Sequence, residues 1–110
     1  MIYNEKMSDL RIEEAIKFLV HSIETSGHNP KPVILHSIRV ANLLAFLGYD
    51  TDIVIAGLLH DLQEDANINT EDIAEQFGET VARLVQCNSF DPSITDKIEQ
   101  YKAMYHNCIH

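Results

Sequence analysis

The sequence predicts an all-α domain of five to six helices, on three observations. Apolar residues recur at three- and four-residue spacing in one segment after another, the period of a buried helix face. Four glycines and three prolines in 110 residues leave too little turn material for a sandwich of many short strands. The one run that could be a strand, residues 53–59, has no alternating segment to pair with.

The elements follow in order. Ser8 or Asp9 can cap a first helix, which carries Ile12, Ile16, Leu19 and Ile23 at helical spacing and stops at Gly27. Residues 26–32, Ser-Gly-His-Asn-Pro-Lys-Pro, form a loop, because two prolines block helix continuation. A second helix starts near Pro32 or Val33, runs through Ile34, Ile38, Ala41 and Ala45, and ends at Gly48. Asp50 or Asp52 can cap the third, whose interior, Ile53 to Leu59, is apolar on every side. Alone that run reads equally well as a buried strand; its helical neighbours assign it to a central buried helix. Thr70 caps a short helix to Phe77, with Gly78 as its stop, and Glu79 to Val85 form another. Pro92 opens a last helix toward the C-terminus. No domain boundary interrupts the series, so residues 1–110 read as a single domain.

Composition narrows the function. With 45% hydrophobic and 23% charged residues the chain is globular, and its length suits one core that buries about 65% of the unfolded surface. Seventeen Asp and Glu against eight Lys and Arg give a formal charge of −9. Such a surface repels phosphate backbones and anionic lipids, which excludes non-specific nucleic-acid and membrane binding. An anionic substrate would need a local positive charge to offset that field, and a bound metal is the economical source. Cys87 and Cys108 make no disulfide framework and sit in no CxxC pattern. The N-terminus has no basic segment followed by an apolar run, and the longest strictly apolar stretch is far too short to span a bilayer. A reducing cytoplasm is the expected compartment.

The third helix ends in His60-Asp61. Apolar helices often end in polar residues simply because they reach the surface, and three features argue past that reading. Glu64 and Asp65 follow at i+4 from His60 and Asp61, so a continued helix would gather three carboxylates and an imidazole within one turn. Like charges so close repel unless a cation is present, and carboxylates near a helix C-terminus also oppose its dipole. The third feature is His36, near the start of the second helix. A lone histidine on an apolar helix is most often a satisfied core residue. An antiparallel pairing of the second and third helices, however, brings His36 to the His60-Asp61 end. Two imidazoles and a carboxylate suit Mn²⁺, Fe²⁺, Zn²⁺ or Co²⁺. Gly57 disfavours a helix interior by about 1 kcal/mol relative to Ala. It fits a close approach of two helices, and equally a packing glycine with no bearing on the site.

His106 and His110 stand at i,i+4 around Cys108, but at a chain terminus they read as incidental. Cys87 reads as a small core residue and His21 as a surface one. Arg39 and Arg83 suit ordinary salt bridges at least as well as phosphate binding.

The three segments around these residues resemble the HD superfamily of metal-dependent phosphohydrolases. Residues 32–41 (Pro-Val-Ile-Leu-His-Ser-Ile-Arg-Val-Ala), 56–65 (Ala-Gly-Leu-Leu-His-Asp-Leu-Gln-Glu-Asp) and 77–85 (Phe-Gly-Glu-Thr-Val-Ala-Arg-Leu-Val) are similar, in that order, to the RelA/SpoT-type hydrolase branch. The resemblance covers about residues 8–105 and implies an HD-domain helical bundle. It implies that His36, His60 and Asp61 hold one divalent metal, usually Mn²⁺, and that Glu64 and Asp65 position or deprotonate the attacking water. It implies hydrolysis of the 3′-diphosphate of a small anionic nucleotide, with guanosine tetraphosphate first among candidates. Of the family's basic cluster before the first metal histidine, only His28 and Lys31 are present as substrate-binding residues. The family's fourth ligand, an Asp in a Lys-Leu-Ala-Asp-like block, has no counterpart here; Asp72, Asp91 and Asp96 come too early. The expectation is a domain truncated at its C-terminus, short of the family's last helix or helices. Three other readings stay open: another HD phosphodiesterase or nucleotidase, a non-catalytic HD module that binds metal or nucleotide and regulates a partner, and a helical interaction domain whose polar helix end is only a surface. A homo-oligomer is compatible with each.

Overall fold

The computed structural model describes residues 5–27, 29, 32–62 and 66–87. Five helices occur among them: α1 (Glu5–Ser26), α2 (Val33–Phe46), α3 (Thr51–Leu59), α4 (Thr70–Phe77) and α5 (Glu79–Gln86). The class is all-α, with no strand among the described residues.

The apolar run of residues 53–59 is the central helix. Every residue of α3 from Ile53 to Leu59 is buried, because α1, α2 and α5 all pack against it. A helix enclosed in this way has no polar stripe to display, which is why its periodicity alone did not separate it from a strand. Around it, α1 contributes Ala15, Leu19 and Ile23, α2 contributes Val33, Val40, Ala41 and Leu44, and α5 contributes Val81, Leu84 and Val85. The shorter α4 buries Ile73, packs on α5, and sets Phe77 edge-to-face on Phe18 of α1 at 5.4 Å between ring centroids. Among the described residues no helix is long and apolar enough to cross a membrane.

The turn between α2 and α3 fixes how these two helices meet. Gly48 takes φ 87°, and its N–H reaches Ala45 O at 3.1 Å while Tyr49 N–H reaches Leu44 O at 3.2 Å. That pair of bonds closes a Schellman cap, and Gly is the residue that adopts its positive φ without strain. Two residues later Asp50 caps α3, its carboxylate accepting from Ile53 N–H at 3.1 Å.

Three local expectations are corrected. Helix α1 begins at Glu5, so Ser8 lies inside it; its buried hydroxyl meets that of Thr51 instead of capping a helix end. The cap of α4 is Asn69, whose side chain accepts from Asp72 N–H at 2.9 Å, and Thr70 is the first helical residue. Cys87 is half-buried rather than core, because it stands past the end of α5, where its N–H closes the last turn on Arg83 O. The helix expected from Pro92, with Cys108, His106 and His110, lies outside the described residues.

Candidate metal centre

His36 is placed by the start of α2. Pro32 has no N–H and no capping side chain, so Asn29 Oδ1 accepts from Val33 N–H at 2.9 Å. Pro32 O then takes the first helical bond from His36 N–H at 2.9 Å, which sets His36 in the first turn. His60 and Asp61 are placed by the end of α3: His60 follows the last helical residue and Asp61 begins the turn that leaves it. The buried Leu62 anchors that turn, and its carbonyl accepts from both Ala66 N–H and Ile68 N–H.

The start of α2 therefore meets the end of α3. His36 Nε2 stands 3.5 Å from Asp61 Oδ2, and His60 Nε2 stands 3.2 Å from the same oxygen. The imidazole centroids are 5.3 Å apart with the rings tilted by 56°. One ligand-capable atom from each of the three residues lies within 4.8 Å of the others. His60 is 5% exposed, whereas the His36 side chain is 31% exposed, so the cluster opens to solvent on the α2 side.

The hydrogen bonding within the cluster tests whether a cation fits. His60 Nδ1 bonds Gly57 O, and a carbonyl only accepts, so Nδ1 carries the hydrogen. In the neutral ring Nε2 is then a lone pair, and it faces Asp61 Oδ2, another acceptor. That oxygen is buried and has no hydrogen-bond partner. Acceptors gathered this closely need a positive charge between them, a proton or a metal ion. Two imidazole nitrogens and one carboxylate oxygen are a donor set for a first-row divalent cation. The bond from Nδ1 to a backbone carbonyl is the usual means of orienting a metal-binding imidazole. The residues fit the group.

The structure thus brings together His36, His60 and Asp61. Glu64, Asp65, His28 and Lys31 lie outside the described residues. His21, Arg39 and Arg83 are exposed at the surface. Sequence reasoning missed the role of the Gly57 carbonyl. A signal for it existed: the last turn of a helix leaves carbonyls without intrahelical partners, and a histidine three residues on can supply one.

Comparison with known proteins shows the family to which the chain is similar. Residues 15–90 match the HD domain family. The guanosine-3′,5′-bis(diphosphate) 3′-pyrophosphohydrolase of Aquifex aeolicus is 50% identical over 56 residues, covering 51% of this chain and 8% of that protein. The protein of the same name in Danio rerio is 37% identical over 104 residues, covering 88% of this chain and 58% of its own length. The GTP pyrophosphokinase of Streptomyces coelicolor is 44% identical over 54 residues, covering 49% of this chain and 6% of that protein. The chain therefore spans a small part of these bacterial relatives and 58% of the Danio rerio protein. No solved structure matches it.

Proposed function

The chain belongs to the HD domain family, and on that premise we propose that it is a metal-dependent phosphohydrolase that removes the 3′-diphosphate of guanosine 3′,5′-bis(diphosphate). The observation that carries this reading is the convergence of His36, His60 and the buried Asp61 oxygen that no hydrogen bond satisfies. It occurs in a chain similar, over 88% of its length, to a protein named for that reaction.

His36 and His60 would offer Nε2 lone pairs and Asp61 an anionic oxygen. A divalent cation, Mn²⁺ first with Fe²⁺, Zn²⁺ or Co²⁺ suited to the same donors, would supply charge that offsets the phosphoryl oxygens and lowers the pKa of water at the site. Glu64 or Asp65 accepts a proton from the attacking water, whose oxygen bonds to the phosphorus attached to the 3′ oxygen. The bond from that phosphorus to the 3′ oxygen breaks, the 3′ oxygen takes the proton that the carboxylate received, and pyrophosphate leaves. Lys31 and His28 contact the phosphates before attack. The formal charge of −9 supports a small nucleotide over a nucleic acid or membrane surface as the partner, and the cytoplasm is where such a substrate is met.

The test is incubation of the purified protein with Mn²⁺ and a panel of nucleotides. Pyrophosphate release from guanosine 3′,5′-bis(diphosphate), stopped by a chelator, is expected. Release of single phosphates or cleavage of a diester would move the chain to another HD activity. Bound metal with no turnover of any nucleotide would make it a binding module.

A further inference from the structure

We propose that Gly57 is the positioning residue of this metal centre, setting both the spacing of its two helices and the orientation of the His60 ring. The inference rests on the metal-centre reading above and adds a residue that does not touch the metal.

Spacing comes from the absent side chain. A Cβ at position 57 would lie 2.5 Å from Leu44 Cδ1 and 3.2 Å from Val40 Cγ1. Leu44 is 0% exposed, so its δ-methyl can move only against other buried side chains, and together with the β-branched Val40 the close-packed interior passes part of the displacement on to α2. His36, Val40 and Leu44 follow one another at i,i+4 and form a single ridge along α2. The ridge that rests on Gly57 therefore carries His36 at its end. Lifting it by a methyl group moves His36 away from Asp61 and His60.

Orientation comes from the carbonyl. Gly57 O accepts the Nδ1–H of the buried His60, which fixes the tautomer and leaves Nε2 as the lone pair facing Asp61 Oδ2 at 3.2 Å. A ligand from each helix is thus referred to the same backbone position. A purely packing glycine would be coupled to neither.

The experiment compares the wild type with Gly57→Ala, reading metal affinity by titration with Mn²⁺ and Zn²⁺. The His60 tautomer is read by long-range ¹H–¹⁵N NMR on the metal-free proteins. The wild type should show a single Nδ1–H tautomer. Gly57→Ala should remain helical, lose about tenfold or more in affinity for both ions, and keep the Nδ1–H tautomer, because alanine retains the backbone carbonyl. Adding Leu44→Val, which removes the contacted δ-methyl, should recover most of the affinity. A folded Gly57→Ala that melts lower but keeps wild-type affinity overturns the proposal. So does an Nε2–H tautomer of His60 in the wild type, a measurement that holds even if the single variant fails to fold. Wild-type protein that takes up neither ion overturns the metal-centre reading itself, a result distinct from an unchanged variant.

Discussion

At its N-terminal end, α3 places acids where the helix dipole favours them and gives each a partner. Asp50 caps Ile53 N–H, and Asp52 pairs with Arg11 of α1 at 2.7 Å beside the Ser8–Thr51 hydroxyl contact. At its C-terminal end the same helix places Asp61 where the dipole opposes it and leaves one carboxylate oxygen buried without a hydrogen bond. Nine residues separate a terminus built for stability from one that is locally unfavourable in the absence of a cation. The difference teaches where to look for function: within one helix, the end that violates the rules is the end where the candidate ligands gather.

The sharpest way to break this comparison is to remove a ligand. His60→Ala should abolish metal-dependent hydrolysis and lower metal affinity by more than the roughly 10–100-fold typical of an outer partner. Titration with Mn²⁺ alongside pyrophosphate release checks both; retained affinity would return the polar helix end to an ordinary surface.

Next come the two acids. In chelator, Asp61→Asn should raise unfolding free energy by about 1–2 kcal/mol, because an amide can donate to the His60 Nε2 lone pair that the carboxylate oxygen opposed. Asp50→Ala should lower it by about 1 kcal/mol through loss of the cap. Saturating Mn²⁺ should reverse the order for Asp61, since only the wild type gains binding energy. Denaturant melts with and without metal decide, and an Asp61→Asn protein less stable than the wild type in chelator would show that the oxygen already has its partner. Asp50→Ala should leave metal affinity unchanged, because the site lies about 14 Å along the helix.

The smallest effect belongs to the surface ion pair. Arg11→Ala should cost about 0.5 kcal/mol or less and fade with added salt, since the side chains of Arg11 and Asp52 are 44% and 35% exposed. A larger, salt-insensitive loss would make the α1–α3 contact more than an exposed pair.

Much of the fold was legible because helix periodicity and glycine stops are local signals. The start of α2, the burial of residues 53–59 and a cap at Asp50 or Asp52 were readable from residue type along the chain. The helical state of 53–59 came from its neighbours, and the choice of Asp50 from the structure. The caps of α1 and α4 were less so. Asn69 and Thr70 both carry a capping oxygen, and the choice between them depends on one backbone torsion that composition does not encode. Ser8 misled for a different reason: its hydroxyl finds a partner forty-three residues away, in α3. Ser37 shows the same limit. It is fully buried and its hydroxyl has no hydrogen-bond partner, which nothing in the structure explains.

The sequence by itself determined the all-α class, the approximate positions of the five described helices, the antiparallel sense of α2 and α3, and the identity of the three residues that meet between them. Residue type and spacing carry those facts, since a helix turns at a constant rate and a short turn leaves its neighbour one direction to run. Only the tertiary structure decided what Gly57 does and how His60 is held. A glycine inside a helix reads the same whether solvent or another helix lies over it. Here the buried Leu44 and Val40 make its missing methyl the contact on which the two helices seat.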